Sequence, residues 1–275
     1  MNAPSKNQMP SLSIRKHTIA FFSLLLLYIF LYMPLLVMVI FSFNNSRFSP
    51  TWKGFTFKWY QLLLENSNIL EASLNSLIIA LASSTLATLL GSISAYALYQ
   101  HKHNGKSDTK TKNTILSLMF IVMVSPDIAL ALALFIFFNL IHINLGFTSL
   151  LLSHITFSLP YVITLVYARL KDFNKHIIDA AFDLGATPFQ TFTKIIWPLI
   201  APAIISSWFL ALTISIDDVI VSFFVTGPDF EILPIKIYSL LKLGINPQIN
   251  ALMTIIFAIT LLSSIIYYRF TKEQD

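Results

Sequence analysis

The stretch DAAFDLGATPFQTFTKIIWPLIAPAI, residues 179–204, is polar at its start and rich in helix-ending signals, whereas most of the chain is apolar. Gly185 stands where a first helix would end in the left-handed conformation that glycine adopts easily. Thr187 precedes Pro188 and lies three residues before Gln190, which is the spacing of a capping box. The stretch therefore predicts a helix, a turn and a second helix between two long apolar segments.

The flanks of this hairpin carry further boundary signals. Asp172 or Asn174 is expected to cap the first helix, and Pro198 is expected to close the second. The second helix has an apolar stripe at helical spacing, formed by Phe189, Phe192, Ile195 and Ile196. From the residues alone, two interpretations are open: an amphipathic hairpin that lies on the membrane surface, or a rigid docking element for a cytoplasmic partner.

The composition is that of a membrane protein. Of the 275 residues, 56% are hydrophobic and only 11% are charged, whereas a soluble domain has about 25% charged residues. The absence of cysteine excludes disulfides, thiolate metal sites and cysteine nucleophiles. The net charge of +5 does not indicate nucleic-acid binding, because basic residues in such proteins mainly set the orientation in the membrane.

The apolar runs predict an all-α polytopic protein with six spans. A tail, residues 1–17, precedes the first run, which lacks a signal-peptide cleavage site and is expected to stay as a span. The expected spans are about 18–42, 69–98, 114–139, 146–168, 200–225 and 249–269. A loop over 169–199 contains the hairpin.

The distribution of basic residues predicts the orientation. With both termini inside, the inner segments carry 13 of the 18 lysines and arginines, as the positive-inside rule requires. The hairpin then faces the cytoplasm.

The hairpin resembles the EAA loop of the permease subunits of ABC importers. Asp179-Ala180-Ala181, Gly185 and Trp197-Pro198 occupy the places of that pattern, with Asp in place of the usual Glu and Trp in place of the usual Leu. The resemblance implies that this loop is the coupling helix that docks on a cytoplasmic ATPase. It implies docking through Asp179, Ala180, Ala181 and Gly185, while the residues that set the turn are Thr187 and Pro188.

The resemblance extends beyond the loop. The stretches MVSPDIALALALF (123–135), LLSHITFSLPYV (151–162) and SIDDVIVSFFVTGPDFEILPIKIYSLLKLGINP (215–247) are similar to the C-type permease subunits of spermidine/putrescine importers. The family implies a type I importer fold in a bacterial inner membrane. It also implies three kinds of partner: a second permease subunit, two copies of an ATPase and a periplasmic polyamine-binding protein.

Three carboxylates lie within or beside apolar runs, and such residues usually face a cavity or a partner. Asp217 and Asp218 cannot face the same way on a helix, so at most one is expected to point into a substrate pathway. The other is expected to pack or to cap a helix break, with an ion pair to Lys236 or Arg169 as an alternative. Asp127 follows a proline, which favours a helix break with local capping over a pathway role.

Other polar and aromatic residues are assigned structural roles. His154 is predicted to form hydrogen bonds between helices rather than to bind a metal. Small residues of the second span predict close helix packing; they are Ala80, Ser84, Thr88, Gly91 and Ala95. Interfacial anchoring is expected for Trp52, Trp59 and Tyr60. The loop 226–234 is expected on the outer side, as a solvated loop or a contact for the binding protein.

No nucleotide-binding loop or converging catalytic residues are visible, so the chain is predicted to be a transport subunit without a cofactor and without enzyme activity. Two rival functions remain. One is an ABC importer for another small solute, and the other is an ion-coupled carrier, which would have no use for a docking hairpin.

Overall fold

The computed structural model describes residues 11–46, 51–101, 109–172, 175–242 and 247–272, and α-helices dominate these ranges. In chain order the helices are α1 (Ser11–Ser42), α2 (Lys58–Leu64), α3 (Ser67–His101), α4 (Thr109–Val124), α5 (Asp127–Leu140), α6 (Phe147–Lys171), α7 (Lys175–Asp183), α8 (Pro188–Thr191), α9 (Trp197–Asp217), α10 (Ile220–Val225), α11 (Leu233–Lys242) and α12 (Pro247–Lys272). A π-helical segment, Phe192–Ile196, joins α8 to α9. The predicted all-α class is confirmed.

Among the described residues, four stretches of helix are long and apolar enough to cross a membrane: Ala20–Ser42, Ser67–Tyr99, Phe147–Lys171 and Phe189–Asp217. The predicted span over 114–139 corresponds to α4 and α5 together, which are bent by 108° at a short break. Of α12, the part whose side chains the structure describes, Pro247–Leu262, is an apolar helix. The six-span count therefore stays a prediction, and residues 1–10 of the predicted tail lie outside the described ranges.

The chain forms two compact units, one of residues up to Asn66 together with those from Leu240 onward, and one of Ser67–Ser239. In the first unit, α12 packs against α1 and α2. Trp59 of α2 is buried, and its indole N–H donates to the Asn44 carbonyl at 2.7 Å. The prediction that Trp59 is an interfacial anchor is thus wrong, because a backbone acceptor of the same unit takes its polar edge.

Helices α3, α6 and α9 pack against one another in the second unit. The predicted small-residue face of α3 is buried here; its members are Ala80, Ser84, Thr88, Gly91 and Ala95. A Cβ atom at Gly91 would stand 2.6 Å from Val162 Cγ1 of α6. Small side chains allow such an approach, so the predicted close packing is confirmed.

Two of the predicted spans are interrupted in this unit. Pro126 lies between α4 and α5, and a proline supplies no N–H and disfavours helix in the residue before it. The predicted break before Asp127 is confirmed. The predicted span over 200–225 is also divided, because α9 ends at Asp217 and α10 begins at Ile220.

The close contact at Gly91 gives a test of the packing. We expect Gly91→Ala to destabilise the purified protein by about 1–3 kcal/mol, the usual cost of overpacking a core. The measurement is the midpoint of thermal unfolding in detergent. Adding Val162→Ala should recover only part of the stability, because it removes the Cγ1 atom at 2.6 Å but keeps the Cβ atom at 2.9 Å. Equal stability of Gly91→Ala and the native chain would contradict the packing described above.

Candidate functional site

The interruption between α9 and α10 is closed by the carboxylate of Asp218. Its Oδ2 atom accepts the backbone N–H of Ser222 at 2.8 Å and the Ser222 hydroxyl at 2.7 Å, and its Oδ1 atom accepts the N–H of Val221 at 3.3 Å. These N–H groups lie in the first turn of α10, where no preceding turn supplies an acceptor. The prediction that one of the two adjacent aspartates caps a break is confirmed for Asp218.

His154, in α6, is fully buried and connects this cap to two other helices. Its Nε2 atom lies 2.9 Å from Ser222 Oγ in α10, and its Nδ1 atom lies 2.6 Å from Ser215 Oγ in α9. Ser215 Oγ in turn lies 3.1 Å from Ser83 Oγ in α3. We call these residues, together with Asp218, the serine–histidine chain.

The geometry around His154 confirms that it is a hydrogen-bond partner between helices. Both ring nitrogens are within hydrogen-bond distance of serine hydroxyls. Within the ranges that the structure describes, no group of three or more His, Cys, Asp and Glu side chains could hold a metal ion.

A cavity of about 640 Å³ lies beside the break, and helices α4, α5, α6, α9 and α10 contribute to its wall. Its polar lining consists of Asp127, Tyr161, Asp217 and Asp218, and its remaining lining residues are apolar. The structure therefore brings the three predicted carboxylates to one cavity.

The carboxylates differ in their surroundings. Asp217 ends α9 and is exposed, whereas Asp218 is partly buried and faces the first turn of α10. The alternative ion pair of these residues with Lys236 or Arg169 is wrong: Lys236 Nζ bonds Glu231 Oε2 at 2.9 Å, and Arg169 Nε donates to the Leu199 carbonyl at 3.3 Å.

Asp127 lies in the first turn of α5, where the helix dipole stabilises a negative charge. The N-cap residue of α5 is Pro126 and no side chain caps this end, so the predicted local capping by Asp127 is wrong, although the helix break itself is present. Phe157 and Tyr161 add aromatic rings to the cavity wall. Carboxylates and aromatic rings between apolar walls suit a cationic ligand, because apolar surroundings strengthen charge interactions and ring faces attract cations.

The hairpin at 179–204 begins with α7, which ends in a left-handed turn. Gly185 has φ +79°, its N–H bonds the Phe182 carbonyl at 2.9 Å, and the Ala186 N–H bonds the Ala181 carbonyl at 3.0 Å. This pair of bonds is the Schellman motif. The predicted left-handed helix end at Gly185 is confirmed. The predicted capping by Asp172 is wrong, because Asp172 is the C-terminal cap of α6; the alternative, Asn174, lies outside the described residues.

The second half of the hairpin begins with the predicted capping box. The Thr187 N–H donates to Gln190 Oε1 at 3.0 Å, and the Gln190 N–H donates to Thr187 Oγ1 at 3.3 Å. Pro188 begins α8, where its missing N–H leaves no bond unmade. The capping box and the position of this proline are both confirmed.

The predicted helix end at Pro198 is wrong. The chain stays helical from α8 through the π-helical segment into α9, and Pro198 lies in the first turn of α9. In the π segment the Trp197 N–H bonds the Phe192 carbonyl, five residues back. This wider turn shifts the hydrogen-bond register just where the proline would otherwise break the ladder.

The surface of the hairpin is partly apolar. Ile177, Ala180, Ala181, Leu184, Ala186 and Ile195 line a groove of about 520 Å³. Leu184 is 88% exposed and Phe189 is 75% exposed, so the described part of the chain leaves two large apolar side chains largely uncovered. Ala180 is exposed but Ala181 is buried, so only Ala180 offers a small accessible side chain. The side chain of Asp179 lies outside the described part of the structure.

Sequence reasoning missed the serines of the serine–histidine chain and Tyr161 of the cavity. The available signal was the placement of Ser215 and Ser222, seven residues apart on either side of the aspartate pair. It also missed the ion pair of Lys236 with Glu231, beside a smaller polar pocket of about 180 Å³ that includes Asp229.

Comparisons with known proteins agree with this architecture. The family model described as "Binding-protein-dependent transport system inner membrane component" matches residues 87–274. The chain is 48% identical over 248 residues to the spermidine/putrescine transport system permease protein PotC of Escherichia coli (strain K12), which covers 90% of this chain and 92% of that protein. It is 36% identical over 258 residues to the putrescine transport system permease protein PotI of the same strain, over 91% and 90% of the two chains.

A solved structure shares the fold. One chain in the crystal structure of a bacterial ABC transporter involved in the import of the acidic polysaccharide alginate matches with a TM-score of 0.70 and 15% identity, over 95% of this chain and 97% of that one. Together, the family match and the two permease relatives show that this chain belongs to the family of binding-protein-dependent transport system inner membrane components.

Proposed function

We propose that this chain is a permease subunit of an ATP-driven importer of polyamines such as spermidine and putrescine. The observation that carries the proposal is the cavity with three carboxylates, Asp127, Asp217 and Asp218, beside Tyr161. Polyamines are flexible chains with several protonated amines and no carboxylate. A wall of carboxylates and aromatic rings complements them, and the printed names of the two E. coli relatives support the same class of substrate.

The hairpin is the proposed contact with an ATPase. Its exposed Ala180, Leu184 and Phe189 and its apolar groove give a surface for a cytoplasmic partner. The Schellman turn at Gly185 and the capping box at Thr187 and Gln190 fix the shape of this surface. A fixed shape suits coupling, because ATPase closure has to be transmitted as a rigid-body movement of helices.

The remaining partners follow from this function. The importer would contain a second permease subunit, two copies of the ATPase and a periplasmic binding protein that delivers the polyamine. The chain would lie in a bacterial inner membrane with both termini in the cytoplasm, and the loop 226–234 would face the binding protein. Transport would proceed by alternating access, in which the cavity opens first to the outside and then to the inside.

The decisive experiment measures uptake of labelled spermidine and putrescine by cells that express the complete importer and lack other polyamine importers. We expect uptake that requires a functional ATPase and that unlabelled putrescine inhibits. 1,4-Butanediol, which has the length of putrescine without its charges, should not inhibit. Inhibition by the diol equal to that by putrescine would contradict a cationic substrate, and uptake without the ATPase would favour an ion-coupled carrier.

The two adjacent aspartates should differ when each is changed to asparagine. Asp217→Asn removes an exposed charge from the cavity, so we expect the KM for spermidine to rise about tenfold or more, since a charge-assisted hydrogen bond contributes about 1.5–3 kcal/mol. Asp218→Asn weakens the cap of α10, which costs about 0.5–2 kcal/mol, so we expect lower thermal stability and a lower maximal rate. Kinetics of uptake and thermal unfolding separate the two effects, and identical effects on KM would count against these roles.

The docking role of the hairpin is tested at Gly185, where an added Cβ would meet no atom of the described residues within 4 Å. Asp and Asn both tolerate a positive φ better than most residues, so both variants should reach the membrane in normal amounts. We expect Gly185→Asp to abolish ATP-driven uptake by placing a charge on the docking face, and Gly185→Asn to reduce uptake less. Normal uptake by Gly185→Asp would refute the docking role.

A further inference from the structure

We infer that His154 is a positioning residue: through Ser215 and Ser222 it holds the break between α9 and α10 in place, and so determines where Asp217 stands in the cavity. The effect of His154 on uptake rests on the proposed function, whereas its effect on the geometry of the break does not. The two effects therefore need separate measurements.

The donor and acceptor in each hydrogen bond of the serine–histidine chain can be assigned by starting from the Asp218 carboxylate, which can only accept. The Asp218 carboxylate is an acceptor, so the Ser222 hydroxyl donates to it and can only accept from His154 Nε2–H. A neutral imidazole has one donor and one acceptor nitrogen, so Nδ1 accepts from the Ser215 hydroxyl. Ser215 Oγ then accepts from Ser83. Ser222 and Ser215 each donate once and accept once, so the bonds around His154 are consistent; Ser83, at the end of the chain, has the Ala80 carbonyl at 3.4 Å as a second acceptor for its hydrogen.

The position of His154 relative to the break is what makes it more than a packing residue. Ser215 precedes the two aspartates and Ser222 follows them. The two ring nitrogens of His154 therefore form hydrogen bonds with the chain on both sides of the interruption. The ring itself is fully buried in α6 and packs against Phe157, with ring centroids 4.9 Å apart. A residue anchored in one helix thereby fixes the distance between two others.

The C-terminal end of α10 is held by Ser149 of α6, whose hydroxyl donates to the Val225 carbonyl at 2.7 Å, so His154 matters for the other end, the first turn. α10 comprises only the six residues Ile220–Val225, which is too short to be stable as a helix alone. It packs against α5 and α6, and its first turn depends on the Asp218 carboxylate. Without the bond from His154, the Ser222 hydroxyl keeps its bond to Asp218 but loses the contact that ties both residues to α6.

Substitution of His154 by asparagine or by glutamine tests the two hydrogen bonds of the imidazole one at a time. The side-chain amide of glutamine reaches the position of Nε2, so His154→Gln can still donate to Ser222. The shorter amide of asparagine reaches only the position of Nδ1, so His154→Asn can bond Ser215 but not Ser222. His154→Leu removes both bonds while it keeps an apolar side chain. These three variants form a matched series for the bond that reaches α10.

The first readout is the reactivity of a thiol at the break. The chain has no cysteine, so Val219→Cys places a single thiol at the cavity wall and leaves both aspartates unchanged. Membranes with the complete importer are treated with 2-aminoethyl methanethiosulfonate, and labelling of the purified chain is followed by mass. We expect labelling about tenfold faster with His154→Leu or His154→Asn, and within about twofold of the native rate with His154→Gln, as loss of a buried hydrogen bond implies.

The second readout is uptake of spermidine by the chain with its native Val219. We expect His154→Asn to raise the KM about tenfold at normal abundance in the membrane, and His154→Gln to restore it. A purely structural role would lower abundance and maximal rate and leave the KM unchanged. Absence of uptake in the native importer would refute the proposed function, while the thiol readout would still decide the role of His154.

Ser222→Ala provides the control that does not depend on changing the histidine. It removes the hydroxyl between His154 and Asp218 but keeps the backbone bonds of the cap. Because both changes cut the same link, His154→Asn combined with Ser222→Ala should label no faster than either alone. Equal labelling of the asparagine and glutamine variants, or additive effects in the double variant, would overturn the inference; if His154→Leu fails to reach the membrane, these two comparisons decide it.

Discussion

In the hydrocarbon of a bilayer, a backbone N–H or carbonyl without a partner costs several kcal/mol, so a spanning helix can be interrupted only where other groups accept or donate its bonds. The break between α9 and α10 meets this constraint with a side chain from the break itself. Asp218 accepts hydrogen bonds from the first-turn N–H groups of Val221 and Ser222. The Ser222 hydroxyl, which also bonds Asp218, is connected to α6 by His154. The arrangement of the surrounding helices follows from the need to supply these partners.

The same constraint explains why charge collects in one cavity. The break at Pro126 begins α5 with Asp127 in its first turn, and the break at Asp218 ends α9 with Asp217 exposed. The N-terminus of α5 favours a negative charge in its first turn, whereas the C-terminus of α9 does not, so Asp217 is accommodated by its exposure to the cavity instead. The two helix breaks therefore provide both the space for a ligand and the carboxylates that line it. The interruptions and the proposed site are one feature of the fold.

Features that depend on near neighbours could be predicted from the sequence, and features that depend on distant ones could not. The capping box of Thr187 and Gln190 and the turn at Gly185 involve residues within a few positions, so their spacing was sufficient. Ser83 and Ser215 are 132 residues apart, and no local pattern connects them. Pro198 is a local signal that gave a wrong prediction: it predicts a helix end, but a π-helical turn accommodates the proline and the helix continues. The carboxylates were visible as charges in apolar runs, whereas their meeting in one cavity depends on how α5 and α9 pack.

The helix that continues through Pro198 has a mechanical consequence. Phe189–Asp217 runs for 29 residues without a stop, which at 1.5 Å per residue is a rod of about 43 Å. One end of this rod carries the exposed apolar residues of the hairpin, and the other end carries Asp217. A torque applied at the hairpin is therefore delivered to the cavity without passing through a loop. The π-helical turn lies near the hairpin end of this rod, where it lets the helix continue past Pro198.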